Sequence, residues 1–328
     1  MRAVSIPTMS NLERDPDEVL LERADGPEVQ ILEPREVPLG GPRALAVRRT
    51  LPQRRRSLIG AWCFVDHYGP TPSRSDRVMD VPPHPHTGLQ TVTWLFAGTV
   101  EHRDSVGSLA TIRPGQVNLM TAGSGIQHSE RSQTDARGLH GVQLWTALPD
   151  AHRHDAPFFE HADAHPLVVD DASLQVFAGS LDGTASPVTT LTPLLGAQLD
   201  LPAGGSVALT ASAAFEYGLL VDAGAATLQG HAVAAGELAY LAPGCSTITV
   251  TAGDEPLRAV LLGGEPLGER IVMWWNFVGR SHDEIERYRA EWQRRIADGP
   301  SQRFGVIDDP AAPLPAPTLP GVRLRPRE

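Results

Sequence analysis

The chain has 328 residues, 41% of them hydrophobic, which is enough for two domains of ordinary size, each with its own core. Its net charge of −11 would repel a phosphate backbone, so direct binding to nucleic acid is not expected. No apolar stretch approaches the roughly 18 residues of a membrane span, and the first residues lack the apolar run of a secretory signal. A cytoplasmic protein without membrane contacts is therefore expected.

Short apolar runs, bounded by Gly, Pro, Asp and Ser, recur from about residue 28 to residue 263. Examples are TVTWLFAGTV, LHGVQLWTAL and STITVTA. With 31 Gly and 29 Pro between them, such runs are typical of antiparallel strands joined by tight turns. The fold class expected is all-β.

An internal echo predicts two similar β units. GQVNLMTAG at 115–123 and GELAYLAPG at 236–244 place Gly at both ends of a nine-residue span, with apolar residues at matching positions. We therefore expect two tandem antiparallel β-barrels. The predicted divisions are an N-terminal extension (1–27), a first barrel (28–150), a second barrel with a terminal helix (151–299) and a Pro-rich tail (300–328).

The terminal helix is predicted from its caps and its periodicity. Ser281 can cap its start, Glu284 stands at the capping-box position, and Pro300 follows its end. Its apolar face comprises Ile285, Tyr288, Trp292 and Ile296. The tail beyond is too rich in proline for regular structure and is expected to be extended or mobile.

Two short motifs carry the candidate chemistry. PPHPHTG contains His84 and His86, and GIQHSE contains His128 and Glu130. Side chains at positions i and i+2 of a strand project from one face, so two such strands deliver three imidazoles and a carboxylate into one space. This ligand set suits iron, manganese, nickel, copper or zinc, and on an octahedral ion it leaves two positions open.

Each motif alone is more often a pair of ordinary polar residues. Their combination on a β background, with a turn at Pro114 and Gly115 between them, is far more specific. His102 is expected to be exposed or a neighbour of the ligands. The histidines at 152, 154, 161 and 165 are expected in a linker. Cys63 and Cys245 have no metal-binding or disulfide spacing.

The second unit offers no equivalent ligands. Aligning it with the first places Thr210 and Ser212 at the positions of the first histidine pair, and Thr249 and Thr251 at those of the His–Glu pair. Neutral hydroxyls cannot replace imidazole and carboxylate in such a cage. The second barrel is therefore expected to be metal-free.

Several segments together resemble the pirin family of the cupin superfamily. They are GAWCFVDHYGP, PHPHTGLQTVTWLFAGTVEHRDS, IRPGQVNLMTAGSGIQHSE, LHGVQLW and WWNFVGRSHDEI, which lie between residues 60 and 285. The resemblance as a whole covers the chain from about residue 45 to residue 292. The resemblance implies two stacked β-barrels and one iron-preferring site in the first. It carries the four ligands over to His84, His86, His128 and Glu130, with Fe2+ as the expected ion.

The resemblance also implies an activity of the quercetin 2,3-dioxygenase type, which opens the central ring of a flavonol with O2 and releases carbon monoxide. Glu130 is then the expected general base. Apolar candidates for the flavonol pocket are Phe64, Trp94, Phe96 and Met120. The alternative is a non-catalytic, iron-dependent redox-responsive regulator that binds a protein partner. A purely structural ion is disfavoured, since no cysteine joins the ligand set. A monomer is expected.

Overall fold

The computed structural model of the chain describes residues 29–39, 45–71, 79–133 and 138–326. The predicted N-terminal extension lies outside them. The strands of the first part of the chain are β1 (Val29–Leu32), β2 (Arg35–Leu39), β3 (Leu45–Leu51), β4 (Trp62–Tyr68), β5 (Asp80–His86), β6 (Leu89–Ala97), β7 (Val100–Asp104), β8 (Leu109–Ile112), β9 (Gln116–Thr121), β10 (Ile126–Ser132), β11 (His140–Ala147) and β12 (Phe158–Asp163).

The second part of the chain continues the β pattern and ends in a helix. Its elements are β13 (His165–Val169), β14 (Ala172–Leu181), β15 (Thr184–Ala185), β16 (Leu194–Leu201), β17 (Ser206–Thr210), β18 (Glu216–Ala223), β19 (Ala226–Leu228), β20 (His231–Val233), β21 (Leu238–Leu241), β22 (Thr247–Ala252), β23 (Leu257–Gly264), β24 (Val272–Trp274), β25 (Phe277–Gly279) and α1 (His282–Asp298). Within the described ranges, no helix is long and apolar enough to cross a membrane.

Each half pairs a large sheet with a small one. The first half has a seven-stranded sheet in the order β12-β9-β6-β11-β4-β3-β2 and a four-stranded sheet in the order β5-β10-β7-β8. The second half has an eight-stranded sheet, β1-β21-β18-β23-β16-β14-β13 with β15 beside β14, and a four-stranded sheet, β17-β22-β19-β20. The expected all-β fold of two tandem β units is confirmed; each half is a jelly roll of two facing sheets rather than a closed barrel.

The two halves exchange edge strands. Strand β1 precedes the first half in sequence but pairs with β21 of the second, in the register Val29 opposite Leu241. Strand β12 follows residue 150 but pairs with β9 of the first half, with Phe158 opposite Thr121. The boundary at residue 150 stays a prediction, because the seven-stranded sheet of the first half includes β12, which lies beyond that residue.

The two large sheets pack against each other through a shared apolar core. Trp62 is fully buried, and its indole Nε1 donates to Leu195 O at 3.2 Å and to Gly263 O at 3.1 Å in the other half. Gly60, two residues before Trp62, has φ of +56°. A Cβ at this position would lie 2.7 Å from the Cα of Gly264. A glycine is required here because the two backbones approach so closely.

The predicted helix is confirmed, with one change at its start. The Ser281 hydroxyl accepts from the Glu284 backbone N–H at 3.3 Å, as in a capping box. The Glu284 carboxylate, however, accepts from the Arg280 N–H at 2.6 Å rather than from that of Ser281. Ile285, Tyr288 and Trp292 are buried on the predicted apolar face.

The segment after the helix, residues 301–326, forms what we call the C-terminal strap. It has no regular strands or helices, as expected, but it is packed rather than free. The Leu314 N–H donates to Pro83 O at 2.8 Å, and Arg131 of β10 pairs with Asp309, with Nη2 to Oδ1 at 2.9 Å. The strap therefore holds the outer side of β5 and β10.

Trp292 joins the helix to the strap, so its removal tests both. It is fully buried and its Nε1 donates to Leu314 O at 2.8 Å. Trp292→Ala should lower the free energy of unfolding by about 3–5 kcal/mol because it leaves a large cavity. Trp292→Phe, which keeps a ring but loses the hydrogen bond, should cost about 1–2 kcal/mol. Urea denaturation measures the free energy of unfolding of each variant. Equal losses in Trp292→Ala and Trp292→Phe would show that the volume of the Trp292 ring does not stabilise the fold.

Candidate metal centre

Three histidine rings converge between β5 and β10 of the first half. His84 lies directly opposite His128 in the strand register, and His86 follows on the same face of β5. The ring centroids are 4.3 Å apart for His84 and His128, 4.9 Å for His86 and His128, and 5.0 Å for His84 and His86. All three side chains are buried. The two-residue spacing has therefore placed them as the sequence predicts.

Glu130 lies at the border of this cluster. One carboxylate oxygen of Glu130 and one ring nitrogen each of His128 and His102 all lie within 4.8 Å of one another. One ring nitrogen from each of His84, His86 and His128 also lies within 4.8 Å of the other two, so the two groups share His128. The strand register shifts between His128 and Glu130, because β5 contributes an extra residue at its Pro82–Pro83 step. This bulge sets the depth of the carboxylate relative to the rings.

Hydrogen bonds around the rings fix which nitrogens are available. His84 donates Nδ1–H to Pro82 O at 2.9 Å, which leaves its Nε2 lone pair free. On the other strand, His102 Nε2 lies 3.0 Å from Asp104 Oδ2, and His102 Nδ1 lies 3.4 Å from His128 Nδ1. Asp104 accepts from His102, so His102 accepts in turn from His128, and the lone pair of His128 is placed on Nε2.

That Nε2 of His128 is a buried atom with no hydrogen-bond partner among the residues that the structure describes. A buried polar nitrogen without a partner is costly. A cation held between the three rings would remove this cost. The nitrogens present thus fit a metal ion.

Burial sets the charge state of these groups. It lowers the pKa of His84 to about 4 and holds those of His86 and His128 well below their usual range, with the neighbouring histidines adding to the effect. Burial also raises the pKa of Glu130, partly offset by His102 and by the Thr93 hydroxyl, 3.2 Å away. Neutral imidazoles at physiological pH are the form that binds metals.

Apolar side chains surround the cluster, though not all of those expected. Phe64 and Met120 belong to one buried group with Trp145, whose ring lies 5.1 Å from that of His86 and stacks on Phe64 at 4.0 Å. The other two residues predicted to line the flavonol pocket lie elsewhere. Trp94 stacks on Phe177 of the second half at 4.8 Å, and Phe96 contacts the rings of His67 and His140. Alternation along β6 turns both away from the cluster.

Comparison with known proteins identifies the family. The pirin family profile matches residues 44–146, and that of the pirin C-terminal cupin domain matches residues 196–297. A Pseudomonas aeruginosa protein named "Putative quercetin 2,3-dioxygenase" is 43% identical over 95% of this chain and 98% of its own. The chain belongs to the pirin family.

Other members agree over most of their length. A pirin-like protein of Caulobacter vibrioides is 38% identical, covering 75% of this chain and 88% of its own. The crystal structure of a quercetin 2,3-dioxygenase from Acinetobacter baumannii is 39% identical and superposes with a TM-score of 0.82, over 91% of this chain and 97% of that one. The pirin fold thus extends across both halves.

Within this pirin chain, the small sheet of the second half repeats that of the first. The order β17-β22-β19-β20 matches β5-β10-β7-β8, so β17 and β22 stand where the histidine strands stand. In that pair Thr249 lies opposite Ala208, and Thr251 opposite Ser206. The aligned hydroxyls predicted from sequence therefore fall on or beside the corresponding strands. A metal-free second half stays a prediction.

Sequence reasoning left one neighbour of the centre undecided and overlooked two others. His102, expected to be exposed or a neighbour of the ligands, is 2% exposed on β7 and contacts His128. The sequence alone did not indicate that Asp104 and Trp145 would lie beside the centre. The two-residue spacing of His102 and Asp104 in EHRD was an available signal. Of the presumed linker histidines, His161 and His165 lie in β12 and β13.

The buried histidines predict how stability depends on pH once metal is removed by chelation. Their folded pKa values lie below the unfolded value of 6.5, so the unfolded chain binds more protons below about pH 6.5. The free energy of unfolding should then fall by at least about 1.4 kcal/mol per pH unit between pH 6 and pH 5. The raised pKa of Glu130 has the opposite effect, since the folded chain then binds the extra proton as the pH falls. The three histidines outweigh this single carboxyl.

Urea denaturation of the chelated protein at several pH values measures this slope. His84→Gln should reduce the slope, whereas substitution of the exposed His231 by Gln should leave it unchanged. An unchanged slope in His84→Gln would show that these rings are not buried in the neutral form.

Proposed function

We propose that this protein is a metal-dependent dioxygenase of the quercetin 2,3-dioxygenase type, with one divalent ion held by His84, His86, His128 and Glu130. The convergence of three buried, neutral imidazoles beside a carboxylate supports the ligand set most directly. The names of the Pseudomonas and Acinetobacter relatives support the reaction class. Fe2+ is the ion implied by the family resemblance, and manganese, nickel, copper and zinc fit the same donors.

The donor set is matched to its task. Because the Pro82 carbonyl and the Asp104–His102 pair hold the Nδ1 protons, His84 and His128 present Nε2 without any change of protonation. When bound, the metal supplies Lewis acidity toward the flavonol 3-hydroxyl and a redox partner for O2. Two protein strands thus carry a rigid set of neutral ligands and a single negative charge.

Glu130 is the group placed to take the proton of the flavonol hydroxyl. Burial raises the pKa of this carboxyl, which makes its carboxylate a stronger base than an exposed one. The Thr93 hydroxyl donates to Oε1 at 3.2 Å, so Oε2 remains to accept the proton. The proton then returns from Glu130 to the ring-opened product, which restores the carboxylate.

The aromatic wall is the feature that suits a flat polyphenol. Phe64 and Trp145 are stacked at 4.0 Å with an angle of 11° between their planes, next to the ring of His86. Met120 belongs to the same buried cluster. Planar aromatic substrates bind well against such surfaces, with few polar groups needed to orient them.

Anaerobic reconstitution with Fe2+, followed by measurement of oxygen uptake and carbon monoxide release with quercetin, tests the activity. Glu130→Gln should lower kcat by about 10²- to 10⁴-fold because the base is lost while the shape is kept. Glu160→Gln, on edge strand β12 of the same half, is the matched control and should be active. If Glu130→Gln kept more than a tenth of the wild-type kcat, Glu130 would not be the base.

The Asp104–His102 pair should tune metal affinity without touching the ion. In Asp104→Asn the amide oxygen can keep the bonds from the Val106 and Ser108 N–H groups, so its NH2 faces the His102 N–H. His102 must then change tautomer and can no longer accept from His128. Affinity for Fe2+ should fall about 10- to 100-fold, as measured by competition with a chelator.

Asp80→Asn is the matched control for that measurement. Asp80 lies in β5 of the same small sheet but pairs outward with Arg131 at 3.0 Å. Its substitution should leave the metal affinity unchanged. A change below about threefold in Asp104→Asn would mean that the hydrogen-bonded pair does not orient His128.

One observation favours the regulatory alternative, in which iron oxidation alters the affinity for a protein partner. The four side chains are between 1% and 7% exposed, and a closed centre suits sensing better than turnover. The oxygen-uptake experiment separates the two functions. Uptake that depends on metal and is lost in His84→Ala identifies the enzyme, whereas tight iron binding without turnover identifies the regulator.

A further inference from the structure

A second cluster of metal-binding side chains lies between the two halves, away from the centre described above. His67 of β4 and His140 at the start of β11 belong to the first half, and Asp222 of β18 belongs to the second. Both His67 Nε2 and His140 Nε2 lie 2.6 Å from Asp222 Oδ1, and they are 3.4 Å from each other. The three side chains are 9% exposed or less.

The fold aims these groups at one another. His67 and His140 lie on neighbouring antiparallel strands, with their rings stacked at 5.6 Å. Asp222 falls at a register shift in β18, between Val221 and Ala223. Such a bulge turns a side chain out of the normal alternation. The Asp222 carboxylate therefore points across the interface, toward the other half.

We propose that His67, His140 and Asp222 form a second metal site, which takes a borderline first-row ion such as Zn2+ and joins the two halves. Two imidazole nitrogens on a tetrahedral ion, each at about 2.0–2.1 Å from it, lie roughly 3.4 Å apart. The nitrogens here are already at that separation. Only the carboxylate oxygen must move back, from 2.6 Å to roughly 3.2 Å from each nitrogen.

The charges of His67 and Asp222 suit a metal ion. Burial is the largest cause that lowers the pKa of His67, which keeps the ring neutral. For Asp222, burial acts to raise the pKa, but hydrogen bonds from His140 and His67 outweigh it, so the carboxyl is ionised. Without metal, each Nε2–H donates to Oδ1. With metal, these two ring protons move to Nδ1 and the ion replaces them.

Two nearby arginines leave the ligand atoms accessible. Arg258 Nε donates to Asp222 Oδ2 at 2.6 Å, so Oδ1 is left for the ion. Arg48 Nη2 lies 3.2 Å and 3.1 Å from the two ring nitrogens of His67. Because Arg48 Nη2 is nearly equidistant from the two nitrogens, it lies over the face of the His67 ring and not in the ring plane, where the nitrogen lone pairs point. Arg48 thus does not occupy the coordination position.

The same arginines restrict which cation binds. Their positive charge opposes any divalent ion, so only ions that gain strongly from imidazole coordination should bind. Mg2+ and Ca2+, which require several oxygen ligands, are excluded by two nitrogens and one available oxygen. The expected selectivity is for Zn2+, Ni2+, Co2+ or Cu2+.

Zinc stoichiometry tests the proposal on the full chain, by native mass spectrometry after equilibration with Zn2+ and removal of free metal. The wild type should hold two ions per chain. Asp222→Asn should hold one, and Asp200→Asn, which alters another partly buried carboxylate of the second half, should hold two. His84→Ala combined with His128→Ala should lose only the ion of the first centre.

Absence of bound zinc from the wild type would overturn the proposal without recourse to any variant, and so would absence of zinc from the folded variant that lacks His84 and His128. Two ions in both the wild type and Asp222→Asn would overturn it as well. As a second readout, Co2+ at a tetrahedral site gives strong visible absorption. This absorption should persist in the variant lacking His84 and His128 and vanish in His140→Gln, with circular dichroism confirming that both are folded.

Discussion

The pairing of β5 with β10 is the constraint on which the centre depends. Its register places His84 opposite His128 and brings three rings to one point inside the first jelly roll. Desolvation there keeps the rings neutral, so they are available as ligands rather than as mutually repelling cations. The aromatic wall on the large sheet and the C-terminal strap outside both serve to keep this strand pair in place.

The convergence of the candidate ligands was predictable from sequence because it depends on local geometry. A spacing of two residues on a strand puts side chains on one face, whatever the rest of the fold does. The same locality explains the success at α1, where Ser281 and the apolar spacing determine the helix start and its buried face. The bulge at Pro82–Pro83 was not predictable, since a register shift depends on the partner strand.

Other features were left undecided or overlooked in the sequence because they join distant segments. The contact between His102 and His128 requires β7 to lie beside β10, and the cluster of His67, His140 and Asp222 requires both halves. Trp94 and Phe96 were assigned to the wrong surroundings for the same reason. Their apolar character was clear, but the face they occupy is set by the packing of one large sheet on the other.

The exchange of edge strands has a consequence for the order of synthesis. Strand β1 leaves the ribosome before any other described strand, yet its partner β21 follows about 200 residues later. At translation rates of about 5–20 residues per second, β1 waits on the order of 10–40 seconds for its place in the sheet. Three of its four residues, VQIL, are apolar, and the segment has no strand partner during that time. The eight-stranded sheet can therefore cover this strand only after most of the second half has been synthesised.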